Sequence, residues 1–405
     1  MTSLDACPFV DPFDEATQDA MKDLVAGFHD EGHWIVRTPL WSTVIGYAEA
    51  KELWKDDRFA TPIPTMLEIQ GVTDGLLHDR ATNNILARSD DDHTRIRRLV
   101  SPAFTPRAID ALRPMMRSYL DERIVALADA GRCEFVADIA EAYPIAVICE
   151  LVGAPRSDWP LFSRWADSIF KQAGFELATT LDEIEGAYVE LEAYLGDLIE
   201  RRTADPGDDL LSRLIATTMD GDRLSPTELV DIVTAMLIGG TDTTRNQLGL
   251  AVMLLLGQPG AWRSLAGNPE AIRLAVDEVL RFEPTASGTM RVATEEVTYR
   301  GVTFEPGALV MLSSTAANRD PSAVAACPHD FDPTARRDGW TSLAFGTGRH
   351  YCLGANLARA ELQEALAVLT ERLPDLAIIG EPVMKPVMGI YGPARLDVAF
   401  GTVRA

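Results

Sequence analysis

Ser225-Pro226-Thr227-Glu228 is a capping box with proline at the first helical position, and no helix breaker follows until Gln258-Pro259-Gly260. At ~1.5 Å per residue, the helix predicted over residues 226–257 is a rod of about 48 Å. Only a large, mostly helical domain can cover such a rod on several sides. Its one irregularity is Gly239-Gly240. Each glycine inside a helix costs ~1 kcal/mol relative to alanine. A helix that keeps two therefore needs a reason: close approach of a planar group, or a packing seam that admits another helix.

The rest of the chain agrees with a helical class. Helical periodicity runs over residues 17–29, 93–102, 107–129, 137–151, 157–173, 181–203 and 208–219, then from Pro269 to Phe282 and from Leu353 to Leu373. Trp34–Thr38 and Trp41–Tyr47 form a β-hairpin about Pro39 and Leu40, and Thr289–Leu312 alternates apolar and polar residues between turn glycines. Residues 60–92 lose all clear period, which predicts a long functional loop. The expected class is mainly α with a small β portion at roughly 34–60, 289–315 and 380–400. No internal repeat or linker divides the chain, so 1–405 is expected to be a single domain.

Composition narrows the function. The 405 residues carry 37 basic and 61 acidic side chains, a net charge of −24. Phosphate neutralisation needs clustered lysine and arginine in excess, so a nucleic-acid partner is excluded. Cys7, Cys133, Cys149, Cys327 and Cys352 are odd in number, far apart and free of any CxxC pair, which excludes a disulfide scaffold and a zinc ribbon. The N-terminal residues lack a basic and apolar leader pattern, and the longest apolar run, Leu248–Gly257, is well short of the ~20 residues that span a bilayer. A cytoplasmic protein with no membrane insertion is expected.

The chemistry concentrates in Phe345-Gly346-Thr347-Gly348-Arg349-His350-Tyr351-Cys352-Leu353-Gly354. A cysteine just before a helix meets a positive dipole and free N–H groups, which stabilise a thiolate. The flanking glycines leave room for a bulky flat group. A lone cysteine is ordinarily a small buried hydrophobe. Here, however, the segment matches FxxGxxxCxG and its fuller form FGxGxHxCxG, and so resembles the cytochrome P450 family of haem-thiolate monooxygenases. Gly239-Gly240-Thr241-Asp242-Thr243-Thr244 resembles the family's oxygen-activation signature. Ala235, Ile238, Gly239, Asp242 and Thr243 share one face of the long helix by spacing. Glu278-Val279-Leu280-Arg281 is similar to the family's ExxR, an i, i+3 ion pair with a structural role, which Arg336 is expected to join. His93 and Arg97 fit HxxxR, with i, i+4 spacing that suits two neighbouring carboxylates. Two departures stand out. Ser89-Asp90-Asp91-Asp92 replaces the Pro-Pro often found before the histidine, and Ser342 replaces a histidine three residues before Phe345.

The resemblance implies a cytochrome P450 fold, with the long helix over the haem and the cysteine loop beneath it. It implies haem b with Cys352 as the metal ligand, Phe345, Gly346, Gly354 and Gly239 against the cofactor, and His93, Arg97, Arg291 and His350 on its propionates. Asp242 and Thr243 would deliver protons in the use of O₂. A hydrophobic small-molecule substrate would meet Met66, Leu67, Ile69, Ala235, Ile238, Gly239, Thr285, Ser287, Thr289 and Ile390, with Met388–Tyr391 closing the pocket. No nicotinamide or flavin motif is present, so electrons would come from a separate ferredoxin or flavodoxin with its reductase. Such a donor would dock at His93–Arg107, which holds four arginines and no carboxylate. A peroxide-driven peroxygenase and a non-catalytic haem sensor or carrier share the cysteine loop, but neither needs Asp242 with Thr243.

Overall fold

In the computed structural model, residues 4–88, 91–174, 177–219, 221–324, 327–386, 389–401 and 403 are described, and they fall into two units. One unit joins Met1–Pro62, Arg273–Cys352 and Lys385–Tyr391; the other joins Ile63–Ile272, Leu353–Met384 and Gly392–Ala405. Among the described residues, no helix is long and apolar enough to cross a membrane.

The first unit is built on a five-stranded sheet in the order Ile35–Arg37, Ser42–Val44, Leu309–Ser313, Gly288–Ala293, Phe59–Ala60. The predicted hairpin pairs Arg37 with Ser42. Leu309–Ser313 runs parallel to Ser42–Val44 and antiparallel to Gly288–Ala293, placing Arg291 opposite Val310. Gly288 is required there, because a methyl at that position would lie 2.3 Å from the Leu312 carbonyl oxygen. Alternation sends Val44, Val310 and Leu312 into a core completed by Phe59, Phe304 and Trp54.

A buried ion network braces this unit. Arg281, with no exposed surface, donates through Nε and Nη2 to both oxygens of Glu278 at 2.8 and 2.7 Å. The remaining donors reach the carbonyls of Asn318, Pro328 and Asp330. The second arginine on Glu278 is Arg337, at 3.0 and 3.2 Å, not the expected Arg336. A one-residue error of this kind arises because the segment around it has no regular period to fix its direction. Burial opposes ionisation of Glu278, but hydrogen bonds from Arg281 and Arg337 outweigh it and hold the carboxyl below its usual range. Ser342, in the place of the histidine, accepts from Asn318 and donates to the Leu280 carbonyl.

The second unit is helical. Ala355–Arg372 packs on Arg113–Leu127 and Asp242–Gly257, Leu177–Ala204 on Trp159–Phe170, and Pro226–Gly240 on Ala142–Val152. A small sheet joins Arg132–Glu134, Asp397–Ala399 and Ala377–Ile378.

Three expectations need correction. Residues 60–92 are not a structureless loop, because helices form over Ile63–Ile69 and Gly75–Asn83. The 34–60 region is not all β: Tyr47–Leu53 is a helix whose first amide donates to Asp320. The 48 Å rod is interrupted: one helix ends at Gly240, Thr241 stands between, and a second runs Asp242–Gly257. The capping box itself forms as read, with Ser225 and Glu228 bonded reciprocally.

Glu278→Ala should cost about 3–5 kcal/mol, because it strands two buried guanidinium groups. The depressed carboxyl contributes stability that is complete above its ordinary 4.5 and lost as pH falls through the lower folded value. Urea midpoints measured from pH 7 to pH 3 check both: the variant should start lower and lose less stability over the acid range.

Candidate active site

The cysteine loop of the first unit closes on itself. The Gly346 amide donates to the Leu343 carbonyl, Tyr351 to Gly348, and Cys352 to Phe345 at 3.0 Å. These bonds hold Cys352 exposed, three residues before the helix that starts at Ala355. Cys133 and Cys149 are buried instead, and burial pushes the Cys133 thiol up to about 12 and that of Cys149 higher still. Gly346 and Gly348 have φ of +63° and +74°. A methyl on Gly348 would also stand 2.7 Å from the Trp54 carbonyl oxygen. Trp54 therefore buttresses the loop, and its indole donates to Thr289 Oγ1 at 2.6 Å. Nothing in the sequence singles out Trp54 for this role. Phe345, Gly346 and His350 are half-buried.

Arg291 lies in the same unit, 6% exposed, and donates to the Met290 carbonyl. Among the described residues no carboxylate pairs with it, and burial pulls its guanidinium down to about 10. A buried, uncompensated cation costs several kcal/mol, so this position is suited to an anionic group such as a haem carboxylate.

In the second unit, His93 is buried and Arg97 half-buried one turn apart on the helix Asp91–Val100. The interrupted helix presents Ala235, Ile238, Gly239 and Thr243 as a partly exposed stripe. The two glycines serve different needs. A methyl at Gly240 would meet Ile148 Cδ1 at 3.2 Å, the packing seam, whereas at Gly239 it would meet no atom within 4 Å. Side chains compete with the backbone across the break: Thr241 donates to the Leu237 carbonyl, Thr243 to Gly239 and Asn246 to Asp242, at 2.8, 2.7 and 2.6 Å.

Asp242 is buried, and its carboxylate accepts from Arg245 and, at 3.0 Å, from Asn246. Arg245 also lies 3.8 Å from Glu141 and 4.0 Å from Asp167, carboxylates nearer the surface. Thr244 donates to Glu361, whose carboxyl burial raises well above the usual range against the pull of that hydrogen bond. Arg245 and Asn246 were readable at i+3 and i+4 from Asp242; Glu361 carries no sequence signal.

The expected substrate residues scatter. Leu67 is core, Ile69 is 67% exposed and Met66 is half-buried. Thr285 spends its hydroxyl on the Tyr391 carbonyl, Thr289 accepts from Trp54, and Ser287 lends its carbonyl to Thr315. Ile390 bridges Ala286, while Met388 lies outside the described residues. Gly354 leads into Ala355–Arg372 with open space at its Cα.

A helical chain with an exposed, glycine-framed cysteine, a buried guanidinium with no carboxylate partner among the described residues and an acid–alcohol pair at a helix break has the donor set of a haem-thiolate oxygenase. The family model "Cytochrome P450" matches residues 270–373. The chain is 36% identical over 375 residues to luteothin monooxygenase of Streptomyces thioluteus, covering 92% of this chain and 91% of that protein. It is 37% identical over 364 residues to mycinamicin IV hydroxylase/epoxidase of Micromonospora griseorubida, covering 88% and 89%. The solved structure of CalO2 superposes with a TM-score of 0.87 at 28% identity, covering 96% of this chain and 99% of that one. The chain belongs to the cytochrome P450 family. It is a monooxygenase, an oxidoreductase that inserts one oxygen atom from O₂ into its substrate, and the family binds haem b.

Gly348→Ala should force a left-handed backbone costing roughly 1–2 kcal/mol and push the loop off Trp54. The haem-to-protein ratio of the purified variant should fall well below that of the wild type. An unchanged ratio would show that the loop tolerates a methyl there.

Proposed function

We propose that Cys352 is the thiolate ligand of the haem, that Arg291, His93, Arg97 and His350 hold its carboxylates, and that Asp242 and Thr243 manage protons during oxygen insertion. The observation that carries this is the acid–alcohol pair placed at a break in a half-exposed helix face, with Asp242 held by Arg245 and Asn246. When bound, haem with a thiolate ligand supplies electron density that favours O–O cleavage. The chain's own residues supply the rest. Thr243 keeps its hydroxyl oriented by donating to Gly239, and Arg245 ties Asp242 toward Glu141 and Asp167, which gives a buried carboxyl a polar path outward. We read 1–405 as one functional domain.

The substrate is read as a hydrophobic small molecule meeting Ala235, Ile238, Gly239 and Met66. This reading is supported by relatives named for oxidising a particular compound, a luteothin monooxygenase and a mycinamicin IV hydroxylase/epoxidase. The reduced, haem-loaded protein with carbon monoxide should show the strongly red-shifted Soret band of thiolate ligation, and Cys352→Ser should lose it. Retention of that band by the serine variant would sink the ligand assignment. With a substrate in hand, Thr243→Ala should lower product formed per NAD(P)H consumed by roughly tenfold; wild-type coupling would remove Thr243 from the proton path.

The electron donor is read as a small acidic ferredoxin or flavodoxin. Arg98 and Arg107 are exposed on Asp91–Val100 and Pro106–Asp110. Arg95 does not share this role as a solvated cation, because Asp92, Asp222 and Glu228 surround it. Arg349 is held by Asp57. Arg98→Glu should slow reduction by a ferredoxin about tenfold at low salt, with the gap closing as salt rises. Equal rates at every ionic strength would place the docking surface elsewhere.

A further inference from the structure

Residues 63–83 fold as two short helices, Ile63–Ile69 and Gly75–Asn83, joined through Gly71 and Gly75 at φ of +81° and +91°. Three polar ties fasten this segment within the second unit. Gln70 donates to the Gly174 carbonyl at 3.1 Å and accepts from the Leu177 amide. The Leu77 amide donates to Glu185 at 3.1 Å. Arg80 forks onto both oxygens of Glu192, with Nη2 at 2.8 Å, and reaches Asp231 at 3.7 Å.

The second tie is unusual in kind. Asp74 precedes the helix Gly75–Asn83 but makes no capping bond, and the third amide of the helix is instead satisfied by Glu185 from Leu177–Ala204. A nine-residue helix is marginal alone in water. Without its own cap it depends on staying docked.

We propose that residues 63–83 are a strap latched by Arg80, whose guanidinium is shared between Glu192 and Asp231, and that releasing this triad frees the strap, with Gly71 and Gly75 as the joint between its two helices. The inference rests on the reading above that Met66 faces the substrate, since a strap carrying that wall would govern entry.

The triad also gives the latch a pH sense. Facing Asp231 are Arg80 and Arg88 from the strap and the turn after it, Glu192 and Tyr188 from Leu177–Ala204, and Glu228 one turn earlier on its own helix. Arg88 is engaged by Asp92 and Glu228 by Arg95, so one guanidinium serves two carboxylates. Burial, opposed by Arg80 and reinforced by Glu192, raises the Asp231 carboxyl from 3.8 to about 6. Opening removes Arg80 and admits water, which returns the carboxyl toward its ordinary value. The closed form therefore binds the proton more tightly, and acid favours closure. Over that window the closing equilibrium shifts by at most roughly 100-fold.

Hydrogen–deuterium exchange on the haem-loaded full chain at pH 7.5 tests the latch. Arg80→Gln should speed exchange across 75–83 by tenfold or more while amides inside Leu177–Ala204 and Pro226–Gly240 stay protected, which separates opening from misfolding. Arg80→Lys should fall between it and the wild type. Asp231→Asn, which fixes the neutral form, should exchange no faster than the wild type. Wild-type exchange in Arg80→Gln, or exchange in Asp231→Asn as fast as in Arg80→Gln, overturns the proposal. Stopped-flow binding of 4-phenylimidazole provides the second arm, with association expected to be faster in Arg80→Gln. Faster exchange with unchanged association would uphold the latch and overturn the substrate-wall reading.

Discussion

A guanidinium with no access to water must find a partner for each of its five N–H groups. Arg281 does so: Glu278 takes two, and the carbonyls of Asn318, Pro328 and Asp330 take the other three. Those carbonyls belong to an irregular stretch that neither helix nor sheet would otherwise define. The constraint then propagates. Asn318 accepts from the Leu343 amide and donates to Ser342, and the Leu343 carbonyl receives the Gly346 amide that starts the cysteine loop. A continuous series of hydrogen bonds thus runs from one buried cation to the backbone that presents Cys352. The ExxR motif is structural in this specific sense.

The interrupted helix solves the opposite problem. A regular helix commits every backbone carbonyl to its own ladder and has no irregular position to offer. Hydroxyls at Thr241 and Thr243 and the amide of Asn246 compete for carbonyls of the preceding turn. Gly239 and Gly240 lower the resistance to bending. The cost is local, since Gly240 admits Ile148 and the neighbouring helix Ala142–Val152 packs there. The break then carries Asp242 at its edge, where the side chains of Arg245 and Asn246, one turn on, can reach its carboxylate.

What the sequence makes legible follows from where each determinant sits. Ser225 and Glu228 are three residues apart, so the capping box is readable; Phe345 to Gly354 are contiguous, so the cysteine loop is too. The helices Tyr47–Leu53 and Gly75–Asn83 escape notice because the groups that satisfy amides of their first turns, Asp320 for Tyr47 and Glu185 for Leu77, lie far off in sequence. Trp54 and Glu361 share that reason, as each matters through a contact with a distant segment. Arg336 and Arg337 differ by one position, and only the path of the backbone decides which of them turns inward. Periodicity reports a face, whereas a long-range cap or buttress has no local pattern to report.

The net charge of −24 understates how acidic the solvent meets this protein. Many of its cations are spent on carboxylates: Arg281 and Arg337 on Glu278, Arg319 on Glu283, Arg113 and Arg117 on Glu364, Arg202 on Asp209, Arg245 on Asp242 and Arg80 on Glu192. Those eight arginines occupy only six carboxylates, so the excess of acids faces outward, as along Leu177–Ala204 with Asp182, Glu190, Asp197 and Glu200. An acidic protein partner is therefore repelled by most of the molecule. For the acidic donor proposed above, attraction would fall to exposed arginines such as Arg98 and Arg107, and repulsion elsewhere would sharpen that choice. A low isoelectric point is thus compatible with the proposed recognition of an acidic electron donor, because a repelling surface would supply part of the specificity.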